Sequence, residues 1–346
     1  MATIQQLTFV GPGKLEWQEV AAPRIERDVE AIVEPVAVAR CDLDLYIAMG
    51  VYPAKPPFAL GHEMTAVVRE VGTGVKQVKS GDHVIVPFQI HCGNCANCKR
   101  GWTNACTAVP PFSAFGLGTN RERDFGGAFS DLVRIPFADA MLVPLPKDLS
   151  AEAACGLGDN VADGYRTVAP HLARFPGEPV LVVGGLAQSV GLYATLAALA
   201  LGSREVTYTD FDDNRLSLAR AAGAEALKTD YANTKRAARR SLIAVDASGT
   251  PEGLAFAMRS TAPCGFLTGV SGGLTAKTAV PLAAAYQWGL NYDVSRVHGR
   301  TVLPKVLALV TEGKLDPLSV LTRKATFSEA IDALVDPTPK VIFTRD

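Results

Sequence analysis

The sequence is short of the features that would send it to a charged surface, a membrane or an export route. It has almost no net charge: 34 Lys plus Arg stand against 35 Asp plus Glu, a formal charge of −1. A chain so balanced has no electrostatic reason to bind nucleic acid or anionic lipid. Its opening residues, MATIQQLTFVGPGK, lack a basic segment followed by an apolar one, so no secretory leader is read and a cytoplasmic location is expected. There is no internal repeat and no low-complexity tract. With 48% hydrophobic and 20% charged residues, the composition is that of a compact, enzyme-like chain. One uncharged run, residues 179–202, has the length of a membrane span. Its short β-branched stretch, the break at Gly184-Gly185 and the apolar segment from Ser189 read better as strand, turn and buried helix.

At 346 residues the chain is long enough for two domains with separate cores. From about residue 178 it alternates, with strands at 180–183, 205–210, 226–227, 242–247 and 266–270 and helices at 189–201, 213–222 and 251–260. Short apolar strands separated by helices predict a parallel sheet covered on both faces. The first 150 residues instead carry strand-like runs at 29–38, 63–71, 82–88 and 128–135, punctuated by glycine and proline. That pattern predicts an antiparallel, barrel-like β domain. The basic run 235–240, KRAARR, is read as the solvated face of a helix rather than a phosphate site.

Four of the seven cysteines, Cys92, Cys95, Cys98 and Cys106, fall in the stretch HCGNCANCKRGWTNAC. Tetrahedral zinc takes four deprotonated sulfurs at about 2.3 Å, and a tight loop supplies them. Disulfides suit an oxidising compartment and ferredoxin-type clusters use other spacings, so zinc is the better reading. Four thiolates leave no open coordination position. Such a site staples a loop and performs no Lewis-acid chemistry.

The other cysteines are Cys41, in RCDLD, and Cys155 and Cys264; His62 and Glu63 stand in GHE, and Asp159 in GDNVADGY. In order and spacing, these motifs, the four-cysteine loop and the glycine turn after residue 178 resemble the zinc-dependent medium-chain alcohol dehydrogenases over essentially the whole chain. The resemblance implies an α/β chain. A GroES-like β-barrel catalytic domain would occupy 1–155, with the zinc loop at 91–106, and return at 293–346. A Rossmann coenzyme domain, a doubly wound parallel sheet, would occupy 156–292. It also implies a catalytic zinc on Cys41, His62 and a third ligand. In the family that ligand stands four residues before a Thr-Gly pair. Asp163-Gly164 takes the pair's place here, so counting back gives Asp159, with Cys155 the alternative in another register. A thiolate, a carboxylate and a neutral imidazole would neutralise Zn²⁺ and leave a vacancy for an alcohol. By the same resemblance Asp44 orients His62, and Glu63 lies close to the metal. His83, His91, His171 and His298 match no ligand position.

One departure bears on the chemistry. Family members usually carry Ser or Thr two residues after the first ligand cysteine, to take the proton of the alcohol, and often a His three positions further on. Here those positions are Leu43 and Tyr46. Tyr46, Asp42 and Asp163 are the available substitutes. Asp163, alone or with Tyr46, is expected to carry the proton or to face the positive pyridinium ring. The plainer role for Asp163 is a cap on a helix starting near Gly164.

Between strand and helix lies GGLAQSVG, from Gly184 to Gly191. A diphosphate is expected there on the helix N-terminus, against Gly184, Gly185, Gln188, Ser189, Val190 and Gly191, although strict G-x-G-x-x-G is not matched. Asp210 closes the next strand 19 residues after Gly191. An acid there accepts from the adenosine ribose and repels a 2′-phosphate, so NAD is expected over NADP. By resemblance Arg215 lies at the ribose edge, Val270 lines the nicotinamide and Phe88 the substrate pocket. The whole implies NAD, two Zn²⁺ per chain and a small alcohol or carbonyl substrate, with no nucleic acid or membrane partner. Leu43 makes the pocket apolar, which favours a hydrophobic secondary, cyclic or aromatic alcohol. A homodimer or homotetramer is implied by resemblance alone. Two other readings stay open: an NAD(P)H-dependent reductase of a conjugated carbonyl or imine, and a non-catalytic, zinc-stabilised nucleotide-binding protein.

Overall fold

The computed structural model describes residues 2–52, 55–118, 124–270 and 277–346. The chain divides into two units: Met1–Asp159 with His298–Leu307 and Leu321–Asp346, and Asn160–Val297 with Ala308–Val320. The segment after residue 293 is therefore shared between them. The first unit holds strands β1 (Thr3–Gly11), β2 (Lys14–Ala21), β3 (Ala31–Ala39), β4 (Phe58–Ala59), β5 (Glu63–Val71), β6 (His83–Val86), β7 (Val133–Ile135) and β8 (Val143–Pro144). The second holds β9 (Val180–Val183), β10 (Val206–Asp210), β11 (Glu225–Lys228), β12 (Ser241–Asp246), β13 (Thr261–Gly269) and β14 (Asn291–Val294). Strands β15 (Arg323–Thr326) and β16 (Val341–Thr344) belong again to the first.

In the first unit a small sheet, β2-β1-β4, accompanies a larger one ordered β15-β16-β3-β5-β6-β8, with β7 on β3. The register of this larger sheet assembles the chemistry. Antiparallel pairing of β3 with β5 sets Ala39 opposite Glu63, so the segments carrying Cys41 and His62 leave the sheet side by side. Pairing of β16 with β3 sets Ile342 opposite Ala39 and brings the C-terminal segment to the same place. The strand expected at 128–135 is shorter, covering Val133–Ile135 only. Just before it, Ala128 and Phe129 donate their N–H groups to the carbonyls of Gly61 and Leu60. The chains approach so closely there that a Cβ on Gly127 would lie 2.1 Å from the Leu60 carbonyl oxygen.

The second unit carries a wholly parallel sheet ordered β11-β10-β9-β12-β13-β14. Counted from β9 this is the 3-2-1-4-5-6 order of a doubly wound fold, in which ligands bind at the carboxyl ends of the strands where the order reverses. That point lies between β9 and β12. Every residue of β9 is buried, and so is almost all of the helix Gln188–Ala200 that follows. This helix packs on the helix Asn160–Arg174 through Gly164, where a Cβ would lie 2.6 Å from the Ala194 nitrogen. Burial on all sides explains the uncharged run. Among the described residues no helix is long and apolar enough to cross a membrane.

Two expectations about this unit fail. Residues 235–240 form an irregular connection between β11 and β12, not a helix. Arg239 and Arg240 have found tertiary partners, and Arg236 a local backbone one, that outweigh helix propensity. Arg236 donates to the carbonyls of Ala237 and Ala238, Arg239 pairs with Glu205, and Arg240 lies 3.8 Å over the Trp288 ring while donating to the Arg259 carbonyl. The helix placed near Gly164 begins at Asn160, so Asp163 sits inside its first turn and does not cap it.

Candidate metal centres and coenzyme site

Cys41 caps the helix Asp42–Ala48 in an extended conformation, and its N–H donates to Asp44 Oδ2 at 3.0 Å. The cap locks Cys41 and Asp44 to each other. His62 then stands between two carboxylates, with Nδ1 3.2 Å from Asp44 Oδ1 and Nε2 3.2 Å from Asp159 Oδ2. Donor atoms of Cys41, His62 and Asp159 all lie within 4.8 Å of one another, and all three residues are buried. Cys155 is outside this group; its Sγ donates to the Glu152 carbonyl at 3.1 Å. Phe88 is buried against His62, ring centroids 5.5 Å apart. Leu43 and Tyr46 are half-buried, three positions apart on one helix face, while Asp42 is buried.

The electrostatics of this trio suit a cation. Burial, and then the charge of Asp159, push the Cys41 thiol up to about 12. Burial alone would lower His62, but Asp44 and Cys41 carry it well above the ordinary imidazole range. Thiol and imidazole thus hold their protons in a buried, acid-rich centre, and a divalent ion is the agent that displaces such protons. Sulfur, nitrogen and oxygen donors in one triangle fit Zn²⁺, with three protein ligands and a fourth direction left to other occupants.

Glu63 is not in the donor triangle. It is buried, and Lys340 Nζ stands 2.5 Å from its Oε2 and 2.9 Å from the Arg40 carbonyl oxygen. Lys340 is itself only 1% exposed. Burial pushes Glu63 up to about 8, with Lys340 pulling it back. Sequence reasoning missed Lys340 altogether. A lysine just before a strand reads as solvated, and 277 positions separate it from its partner. Arg40 was missed for the same reason: it is buried and donates to the carbonyls of Asp336 and Thr338.

The four-cysteine loop forms a second cluster, with sulfurs within 4.8 Å of one another and Cys95 Sγ 3.9 Å from Cys106 Sγ. Four sulfurs each 2.3 Å from a tetrahedral zinc would stand roughly 3.8 Å apart. All four cysteines are free. Backbone N–H groups already point at the sulfurs: Cys92 at Cys106 Sγ, Cys95 at Cys92 Sγ, Cys98 at Cys95 Sγ and Ala108 at Cys106 Sγ, at 3.3–3.5 Å. The N–H groups of Cys98 and Thr107 draw the Cys95 thiol down to about 5. Burial holds the Cys98 and Cys106 thiols above the ordinary range, so a metal would have to displace their protons.

In the second unit, Gly184 and Gly185 turn the chain from β9 towards the helix Gln188–Ala200. A Cβ on Gly184 would lie 2.3 Å from Tyr208 Oη and 2.4 Å from Asp210 Oδ2, and one on Gly185 2.5 Å from the Ser248 carbonyl oxygen. Only bare backbone fits. Ser189 Oγ donates to Asn160 Oδ1 at 2.7 Å, and Val190 and Gly191 are buried in the first helical turn. Gln188 is buried there with its Oε1 unpartnered. A glycine cradle, a helix N-terminus and an orphaned amide at the switch point fit a dinucleotide. Val270 follows β13, and its N–H donates to the Asp246 carbonyl at 3.1 Å. Asp163 Oδ1 lies 2.5 Å from Arg166 Nε, and Arg166 also reaches Ser295 Oγ at 3.1 Å. Asp210 is fully buried and meets Arg215 through two hydrogen bonds, Nε to Oδ2 at 2.8 Å and Nη2 to Oδ1 at 2.7 Å.

Residues 27–147 match the model of the alcohol dehydrogenase GroES-like domain. The chain is 32% identical over 229 residues to the medium chain reductase/dehydrogenase ucsI of Acremonium sp., covering 65% of this chain and 75% of that one. It is 30% identical over 227 residues to zinc-type alcohol dehydrogenase B of Aspergillus flavus, covering 64% of this chain and 51% of the relative. The match thus spans about half the length of that relative. Among solved structures, the alcohol dehydrogenase TADH from Thermus sp. ATN1 superposes with a TM-score of 0.85 at 26% identity, over 99% of this chain and 100% of that one.

Proposed function

The chain belongs to the zinc-dependent medium-chain alcohol dehydrogenase family, and from that premise we propose that it is an oxidoreductase interconverting an alcohol and its ketone or aldehyde with NAD. The observation that carries this reading is the contrast between its two clusters. Cys92, Cys95, Cys98 and Cys106 make a closed set of four, whereas Cys41, His62 and Asp159 make an open set of three. When bound, zinc would supply Lewis acidity at the open set and the nicotinamide would exchange a hydride. The protein's own residues do the rest. Asp44 fixes the ring of His62, and the glycine turn with Gln188, Ser189, Val190 and Gly191 seats the dinucleotide. Phe88 and Leu43 present apolar surface, which supports a hydrophobic secondary, cyclic or aromatic alcohol. A panel of such alcohols, followed by the appearance of NADH, tests the reading. Consumption of NADH by unsaturated carbonyls without alcohol oxidation would replace it with the reductase.

Asp163 is paired with Arg166, and a carboxylate held in an ion pair serves better as a fixed charge than as a proton carrier. We assign it to the side of the pyridinium ring and leave the proton to the half-buried Tyr46. Asp163→Asn is expected to lower kcat by roughly tenfold with the pH profile retained. Loss of one limb of that profile would make Asp163 the carrier, and unchanged turnover would remove it from the chemistry. The homodimer or homotetramer reading is supported by β14, an edge strand with all four residues exposed, including Tyr292 and Val294.

A further inference from the structure

The helix Gly299–Thr311 begins against the peptide that carries Asp159. A Cβ on Gly299 would lie 2.2 Å from the Gly158 carbonyl oxygen, well inside van der Waals contact, so only bare backbone fits. That carbonyl shares a planar peptide unit with the Asp159 nitrogen, and whatever presses on it turns Asp159 with it. Gly158 is crowded in its own right. A Cβ there would lie 3.0 Å from Pro87 Cα and 3.3 Å from the Val86 carbonyl oxygen, at the end of β6. The helix start is equally fixed. The Gly299 N–H donates to Gln89 Oε1 at 3.2 Å, and Gln89 is itself 2% exposed. His298 Nδ1 accepts the Asn104 N–H at 3.3 Å, Thr301 Oγ1 donates to the Gly101 carbonyl at 2.8 Å, and Arg300 Nε donates to the Ala140 carbonyl at 3.1 Å. Gly101 and Asn104 stand between Cys98 and Cys106, so the four-cysteine loop grips the helix start.

We propose that Gly299, held by Gln89 and by the four-cysteine loop, is a positioning residue for Asp159, fixing the carboxylate of the donor triangle through backbone contact. This rests on the reading of Cys41, His62 and Asp159 as a zinc site. The other two donors are set by other means, Cys41 by capping its own helix and His62 by Asp44. Asp159 arrives on the chain that follows residue 155, where the contact with Gly299 stops its peptide from turning. A metal donor must be held within about half an ångström of its working position. A methyl group at residue 299 asks for roughly 1 Å of movement before ordinary contact is restored. With the helix start and the end of β6 both held, the Gly158–Asp159 peptide is what yields.

Competition with a chromogenic zinc chelator measures how tightly each zinc of the holoprotein is held, and Cys41→Ala identifies the one on the donor triangle. Gly299→Ala is expected to weaken that zinc by roughly 10–100-fold and to leave the loop zinc at its wild-type affinity. Gln89→Ala removes the acceptor of the Gly299 N–H without adding bulk, and should weaken the same zinc by a smaller factor. A folded Gly299→Ala protein with unchanged affinity on the donor triangle overturns the proposal. Equal weakening of both zincs overturns it too, because Gly299 would then serve the packing in general. If Gly299→Ala does not fold, Gln89→Ala decides by the same two comparisons. A wild type with no zinc that depends on Cys41 overturns the metal reading itself, and the proposal with it.

Discussion

Asp159→Ala is expected to reduce alcohol-dependent formation of NADH by roughly a thousandfold or more while the protein remains folded. Asp159 supplies the only carboxylate of the donor triangle, and its Oδ2 is 3.2 Å from His62 Nε2. Removing it leaves two protein donors, one of them a buried thiol that holds its proton tightly. A two-ligand site does not retain zinc against water. Asp159→Cys provides the control, because sulfur suits zinc as well as oxygen does. That variant should keep its metal and recover turnover to within about a hundredfold of wild type. If Asp159→Ala retains wild-type kcat, the third ligand lies elsewhere. Cys155, turned towards the Glu152 carbonyl, would then have to rotate into the site.

The second large effect concerns stability. Lys340→Met should cost about 1–3 kcal/mol in urea unfolding at pH 7, because it leaves the buried Glu63 carboxyl, pushed up to about 8, and the Arg40 carbonyl without their donor. Both partners are essentially inaccessible, and the lysine also donates to the Arg40 carbonyl, so neither group can turn to water. The double variant Lys340→Met with Glu63→Gln should regain part of the loss, since the amide carries no acid that the missing lysine would have to hold ionised. A single variant with wild-type stability would mean that the Lys340 hydrogen bonds to Glu63 and to the Arg40 carbonyl contribute nothing to the fold.

These two expectations draw on different depths of the sequence. The parallel sheet was legible because β9 to β13 are short apolar runs separated by helices, a pattern that local periodicity carries. The four-cysteine loop was legible because all its donors lie within one short stretch. The Cys41, His62 and Asp159 triangle is legible only through motif spacing, since the three meet through the β3–β5 register and the chain that follows residue 155. Lys340 was invisible for a related reason: its burial is decided by β16 pairing with β3, a contact that no local pattern announces. The KRAARR run shows the opposite error. Its spacing permits a helix, but Glu205 and Trp288 capture individual arginines and hold the chain irregular. Asp210 ends β10 as its sequence position predicts, but no local pattern announces that Tyr208 and Arg215 meet it from strand and helix.

On the proposed function, one zinc staples the four-cysteine loop while another, held by Cys41, His62 and Asp159, serves the chemistry. Zinc content of the purified protein, measured alongside Cys41→Ala, tests it most directly. Two zinc ions per chain are predicted for the wild type and one for Cys41→Ala, with the loss of metal matching the loss of turnover. One zinc per chain in both proteins would rule out a metal on Cys41 and leave a loop-stapled nucleotide-binding protein without a catalytic metal.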